Sequence, residues 1–355
     1  RTSPSAGMSG ARSAPPDDGI GAGGRCGPVV AGPRRDEKAN RGVEAGLMLD
    51  LTDVAEANHW KDVVYPPSLL DACTVDGKIY CAPVNIHSPE WLWLNNKVYE
   101  DLGLPVPTNW NEFVATAPQV EAAGKIPLAL GNQPWQSNLA FGAMQIAVAG
   151  LDAWKAVNID KNMDVAAGPE YAKVFQAAAD ARKLAAKSTV QDWNQATNLV
   201  ITGEAAGQIM GDWAQGEFQV AGEVAGKDYT CLPGLGLNEY ISTGGDAFYF
   251  PKLDDPEKEA AQKRLAAQLV SPEVQVAFNL KKGSLPIRGD VDLAAANDCM
   301  KKGLAILAGG NIVPSGDMVW SPDVQKQNED LMVEFWKSDM PAADAHAKWV
   351  ENLKS

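Results

Sequence analysis

The sequence predicts an α/β protein built as two lobes, and three observations carry that prediction. At 355 residues the chain exceeds what one apolar core usually holds. Short apolar runs of strand character alternate with longer helical stretches, the order of layered α/β folds. No repeat of fixed period and no long linker divides the chain, so the lobes share several crossings or meet at a tight hinge.

The run Tyr80 to Ile86 reads as a strand, and Trp91-Leu92-Trp93-Leu94 as a second, buried one. Asn109-Trp110-Asn111-Glu112 opens a helix with an Asn cap and an acid in its first turn. A short strand over 126–130 leads through Gly131-Asn132-Gln133-Pro134 into a helix from Trp135 to about Val148, and 171–187 is strongly helical. A strand near 208–210 ends at Gly211-Asp212-Trp213, and another over 247–250 follows Ser242-Thr243-Gly244-Gly245-Asp246. Beyond Pro256 the pattern is helical over 256–270, 272–282, 291–307, 322–336 and 341–353. Asp255-Pro256, Ser271-Pro272 and Ser321-Pro322 place proline at the first helical position after a capping residue.

Lys and Arg number 31 against 45 Asp and Glu, a net charge of −14. That balance argues against nucleic acid or an anionic membrane as a partner. No stretch approaches eighteen unbroken apolar residues. Three histidines and five scattered cysteines leave little for a metal site, and no cofactor is called for. Tryptophan, with 11 residues, is the commonest aromatic. Its wide apolar face and single N–H suit a sugar ring, although core packing is the commoner use of any one tryptophan.

Residues 1–42 stand apart. Six of the nine arginines (Arg1, Arg12, Arg25, Arg34, Arg35 and Arg41) fall there, with nine glycines, five prolines and no core pattern. Such a segment buries too little to offset ordering entropy and is expected to be a disordered, foreign extension; it has no signal-peptide apolar core either.

Cys73 and Cys81 flank a segment containing Asp76-Gly77, a strong hairpin turn. A hairpin brings its flanks together, so a disulfide there is geometrically plausible. Cys231 and Cys299 form the remaining pair once Cys26 is set aside with its segment. Two bridges favour an oxidising compartment; reduced, buried cysteines are the alternative.

Residues 43–355 contain no Gly-x-Ser-x-Gly elbow, His-Glu-x-x-His helix, P-loop or dinucleotide-binding turn. Asp160-Lys161-Asn162-Met163-Asp164 begins like a calcium loop, but Val165 and Tyr171 stand where glycine and glutamate are needed. With 45 acids a carboxylate pair for glycoside hydrolysis stays open.

Eight strings in order carry a family likeness: 82–88, 91–97, Leu102-Gly103-Leu104-Pro105, 107–113, Met210-Gly211-Asp212-Trp213-Ala214, 243–248, Gly283-Ser284-Leu285-Pro286-Ile287-Arg288 and Val313-Pro314-Ser315. Together they resemble the family 1 extracellular solute-binding proteins, the sugar-binding components of bacterial ABC importers, and most of all their glucose/mannose-type group. The resemblance covers 43–355. It implies a periplasmic binding protein fold of two α/β lobes closing on a sugar by hinge motion. The implied crossings lie near Leu94–Lys97, Phe248–Lys252 and Asn311–Ser315. One lobe is then 43–95 plus 252–312, and the other 96–251 plus 313–355. Two departures bear on function. The family's opening strand–turn–helix–strand stretch has no counterpart in 1–42, so the N-lobe is expected to lack its first strands. The histidine that commonly follows Val-Pro-Ser is also missing, since the run here is Gly316-Asp317-Met318-Val319-Trp320; a sugar is still implied, but not glucose itself.

Six residues are candidate ligand contacts. Trp213 follows a Gly-Asp turn at a strand end, where the family pattern makes it a stacking platform; core packing is the alternative. Trp135 and Trp320 occupy similar positions, after the Gln133-Pro134 turn and past the third crossing. Asp246 follows two glycines that permit close backbone approach, and a carboxylate accepts from two hydroxyls; an Asx turn is the alternative. Arg288 offers a planar fork to adjacent ring hydroxyls, against a surface ion pair. His87 ends a strand near the first crossing, against a satisfied core histidine. The expected protein is a non-enzymatic, monomeric periplasmic receptor that captures a mono- or short oligosaccharide and hands it to ABC permease subunits. An extracellular carbohydrate-active enzyme, and beyond it an adhesion protein, are the alternatives.

Overall fold

Two sheets organise the chain. The computed structural model describes residues 29–31, 37–316 and 319–355. In the first sheet Ala247–Tyr249 lies between Val29–Ala31 and Cys81–Pro83, antiparallel to both. The second has the order Ile126–Ala129, Ala205–Met210, Trp91–Asn95, Tyr229–Pro233, with Trp91–Asn95 antiparallel to both neighbours. A two-residue parallel pairing of Ile312–Val313 with Ile241–Ser242 links the later crossings.

Trp91–Asn95 is buried on both faces, as its unbroken apolar run predicts. Its side chains alternate. Leu92 and Leu94 enter a large core with Phe113, Phe141, Phe175, Met332 and Trp349, while Trp91 and Trp93 enter another with Met210, Phe218 and Tyr229. A separate core gathers Leu51, Trp60, Leu70, Ile79, Phe250 and Ile287 around the first sheet. Helices Pro322–Lys337 and Ala342–Asn352 supply Phe335 and Trp349 to the Leu92 core.

Trp91–Asn95 is central in the second sheet, so the chain crosses from the first sheet to the second between Pro83 and Trp91. It crosses back between Pro233 and Ala247, since Ala247–Tyr249 belongs to the first sheet. The helix expected over 291–307 starts at Asp298, where the Asn297 side chain accepts from the Met300 N–H and caps it.

Part of 1–42 departs from the expected disorder. Val29–Ala31 adds an edge strand through backbone hydrogen bonds, which need no apolar pattern, and Glu37–Glu44 is helical. Residues 1–28 and 32–36 lie outside the described residues. Both expected disulfides are present. Cys73–Cys81 closes the hairpin of Thr74–Val75 with Lys78–Ile79, whose turn residues Asp76 and Gly77 have φ of 50° and 77°. Cys231–Cys299 ties the Tyr229–Pro233 strand to the helix Asp298–Gly309. Among the described residues no helix is long and apolar enough to cross a membrane.

Candidate functional site

The first and second crossings run side by side. Val84 N–H donates to the Asp246 carbonyl at 2.9 Å and His87 N–H to the Gly244 carbonyl at 2.8 Å. The approach is close enough that a Cβ on Gly245 would lie 2.0 Å from the Asn85 carbonyl oxygen, so the second glycine is a steric requirement. Asn85 then fixes Asp246 twice: its Oδ1 accepts from the Asp246 N–H at 2.6 Å, and its Nδ2 donates to Asp246 Oδ2 at 3.0 Å.

Asp212, just past the Ala205–Met210 strand, approaches from the second sheet. Its N–H donates to the Ser88 carbonyl at 2.9 Å, and its Oδ2 accepts from the Ser88 N–H at 3.0 Å. Between the two acids sits the buried His87 ring, Nδ1 2.5 Å from Asp212 Oδ1 and Nε2 3.2 Å from Asp246 Oδ2. Two carboxylates on two ring nitrogens call for the doubly protonated imidazolium. Burial works against that charge, but the Asp212 and Asp246 carboxylates override it and raise the His87 pKa to about 9. Burial likewise opposes ionisation of Asp246, yet His87 and Asn85 hold its pKa at about 2. Glu90, between this turn and the Trp91–Asn95 strand, is fully enclosed, and burial lifts it to about 7 although Ser242 donates to it at 2.5 Å through Oγ.

Trp213 lies edge-on to His87, with ring centroids 5.2 Å apart at 85°. Its six-membered ring covers Gly211, where a Cβ would come within 2.1 Å of it. Glycine there lets the indole lie flat over the strand end. Trp213 is half-buried against the Trp91–Trp93 core, and its N–H has no protein partner among the described residues. Asp246 Oδ1 is also unpartnered among them, on a side chain 28% exposed.

The structure thus brings His87, Trp213 and Asp246 together, and with them Asp212, which sequence reasoning missed. Trp135 packs on the same aromatic core as Trp213, as does Trp193, also unforeseen; the Trp135 N–H donates to Gln133 Oε1 at 2.9 Å. Arg288 is held in the ion-pair arrangement weighed against sugar donation, donating through Nε and Nη2 to Asp290 at 2.8 and 2.6 Å and through Nη1 to the Val270 carbonyl. Trp320 is occupied elsewhere: its N–H donates to Asn158 Oδ1 at 2.8 Å, and the Lys161 ammonium sits 3.4 Å above its ring. His87 has both nitrogens engaged by carboxylates, which fits a residue that orients its neighbours. Among the described residues no His, Cys, Asp and Glu cluster is placed to hold a metal ion.

Comparison with known proteins gives a consistent result. The profile of one family, bacterial extracellular solute-binding protein, matches residues 21–276. A probable sugar-binding periplasmic protein of Mesorhizobium japonicum is 37% identical over 268 residues, covering 75% of this chain and 64% of that protein. A protein of the same description from Brucella melitensis is 36% identical over 263 residues, covering 74% of this chain and 62% of its own length. The chain therefore spans a little under two thirds of these relatives. Among solved structures, a chitin oligosaccharide binding protein superposes with a TM-score of 0.71 at 22% identity, over 89% of this chain and 80% of that one. A solute-binding protein of a Thermotoga lettingae ABC transporter, bound with α-D-tagatose, gives 0.71 at 18% identity over 91% and 83%. At these identities the likeness to solved structures concerns the fold, which is that of two-lobed solute-binding proteins.

Proposed function

The chain belongs to the bacterial extracellular solute-binding protein family, and on that premise we propose that it is a periplasmic, non-enzymatic sugar receptor. It takes a mono- or short oligosaccharide between its lobes and delivers it to the permease of an ABC importer. The names of the Mesorhizobium and Brucella relatives support both the sugar and the compartment. One observation carries the reading: a half-buried indole with an unpartnered N–H and an ionised carboxylate with an unpartnered oxygen both flank the His87 ring, where the crossings meet. A pyranose offers an apolar face to the first and hydroxyl donors and acceptors to both.

The lobes of this reading are 43–88 with 246–311, and 91–240 with 313–355. Trp213 and Asp246 contact the sugar, Trp135 extends the aromatic wall, and Arg288 and Trp320 hold their own lobes. The finer assignment, to the glucose/mannose-type group, rests on the eight ordered sequence strings.

A thermal-shift screen over mono- and disaccharides tests the receptor reading. A ligand bound only by the folded state adds about 2.7 kcal/mol at a hundredfold excess over its Kd. Incubation with labelled oligosaccharides separates binding from turnover, and hydrolysis would sink the non-enzymatic reading. Sedimentation should show a monomer.

A further inference from the structure

We infer that this site selects its sugar by charge, admitting neutral and amino-substituted pyranoses and refusing those that carry a carboxylate or phosphate. The inference rests on the receptor reading and deepens it. Its basis is a count of charges at the crossings. Asp212 and Asp246 contribute two carboxylates, and among the described residues the only buried cation between them is His87, already shared by both. The cluster keeps one net negative charge. Glu90, enclosed behind it, adds a further carboxyl and no positive charge.

The cations that could reverse this balance are committed or solvated. Arg288 is neutralised by Asp290 and further engaged by the Val270 carbonyl. Lys282 lies near enough to Asp246 to favour its ionised form, but it is exposed, where water and salt screen it. What the site turns toward a ligand is therefore acceptor-rich. Asp246 Oδ1 can only accept, because His87 and Asn85 keep the group ionised through Oδ2. A hydroxyl donates to it, and an ammonium donates with charge assistance. A second anion brought to the same oxygen has no donor to offer and meets a like charge in a partly dehydrated place. Trp213 sharpens the contrast, since the face of an indole attracts cations and not anions.

The test uses the whole chain and three epimer series, gluco, galacto and manno. Each series supplies the parent sugar, the 2-amino sugar, the uronate and the 1-phosphate, titrated calorimetrically at pH 7 and low salt. In the series that binds, the amino sugar should bind at least as tightly as the parent. The uronate and phosphate should bind on the order of 100-fold more weakly, and that gap should narrow as salt rises. Asp246→Asn should abolish the amine's advantage and shrink the penalty for the anions. Should the variant fold poorly, the salt series on the unaltered protein decides the same question. A uronate bound as tightly as its parent, or a penalty that neither salt nor Asp246→Asn reduces, overturns the charge selection and leaves the receptor standing. Absence of binding by every neutral sugar, including the disaccharides of the wider screen, overturns both.

Discussion

Raising the pH from 6.5 to 9.5 should discharge His87 and unfasten the crossings. In the unfolded chain the imidazole has a pKa near 6.5; in the fold its carboxylate partners raise it to about 9. A raised folded-state pKa means the contribution is complete below about 6.5 and is lost as pH climbs through about 9. The gap between these two values corresponds to about 3 kcal/mol, and the His87 side chain, only 12% exposed, leaves solvent little room to screen it. The lowered pKa of Asp246 describes the same network from the other side and is not added. Its signature lies at the acid end, present above about 4 and lost as pH falls through about 2. The measurement is urea unfolding at half-unit pH steps for the native chain and for His87→Gln, which retains a donor toward Asp246 but no charge. The difference between the two curves should shrink by about 3 kcal/mol between pH 6.5 and 9.5. A difference that stays constant across that range would show the ring to be neutral in the fold, and the network to rest on hydrogen bonds without charge.

Glu90→Gln should stabilise the protein above pH 5, increasingly so up to about pH 7, above which the gain levels off. Burial raises the acid to about 7, so its cost in the native chain grows as pH passes from about 4.5 through 7; identical pH profiles for variant and native chain would count against it. Trp213→Ala should weaken sugar binding far more than it lowers stability, because a half-buried ring leaves less cavity than the roughly 3–5 kcal/mol loss of a core tryptophan. Gly211→Ala should reproduce part of that effect, about tenfold in affinity, by pushing the indole off the strand end; unchanged binding would place the sugar elsewhere. Reducing Cys231–Cys299 should cost about 4 kcal/mol and Cys73–Cys81 about 2.5, following loop length, and denaturant midpoints of the Cys→Ser pairs would reverse that order if the long loop were already compact when unfolded.

What the sequence discloses about this protein is what neighbouring residues settle among themselves. Asp76-Gly77 forces its hairpin, Asn109 caps its helix through the Glu112 N–H, and the prolines at 256, 272 and 322 start helices where they stand. The Arg288-Gly289-Asp290 ion pair is of the same kind, two residues apart and visible without a fold. The Tyr229–Pro233 strand escaped because it is short, ends in proline and owes its existence to Trp91–Asn95, more than 130 residues earlier. Trp320 looked available until Asn158, separated by 162 positions, accepted its N–H.

The site divides along the same line. Trp213 and Asp246 are marked by adjacent glycines whose missing side chains make room for an indole and for a crossing strand. Asp212 carries no such mark. In sequence it is one acid among 45, and its role exists only because the end of one strand is stapled through Ser88 to the turn that holds His87, 125 residues away. The imidazolium joins Asp212, beside the second sheet, to Asp246, beside the first. Rotation of one lobe against the other must therefore either carry His87 along or break a charged contact. On the receptor reading proposed above, closure and the ionisation of Asp246 are in that way properties of one network, assembled from three segments that have nothing in common until the chain has folded.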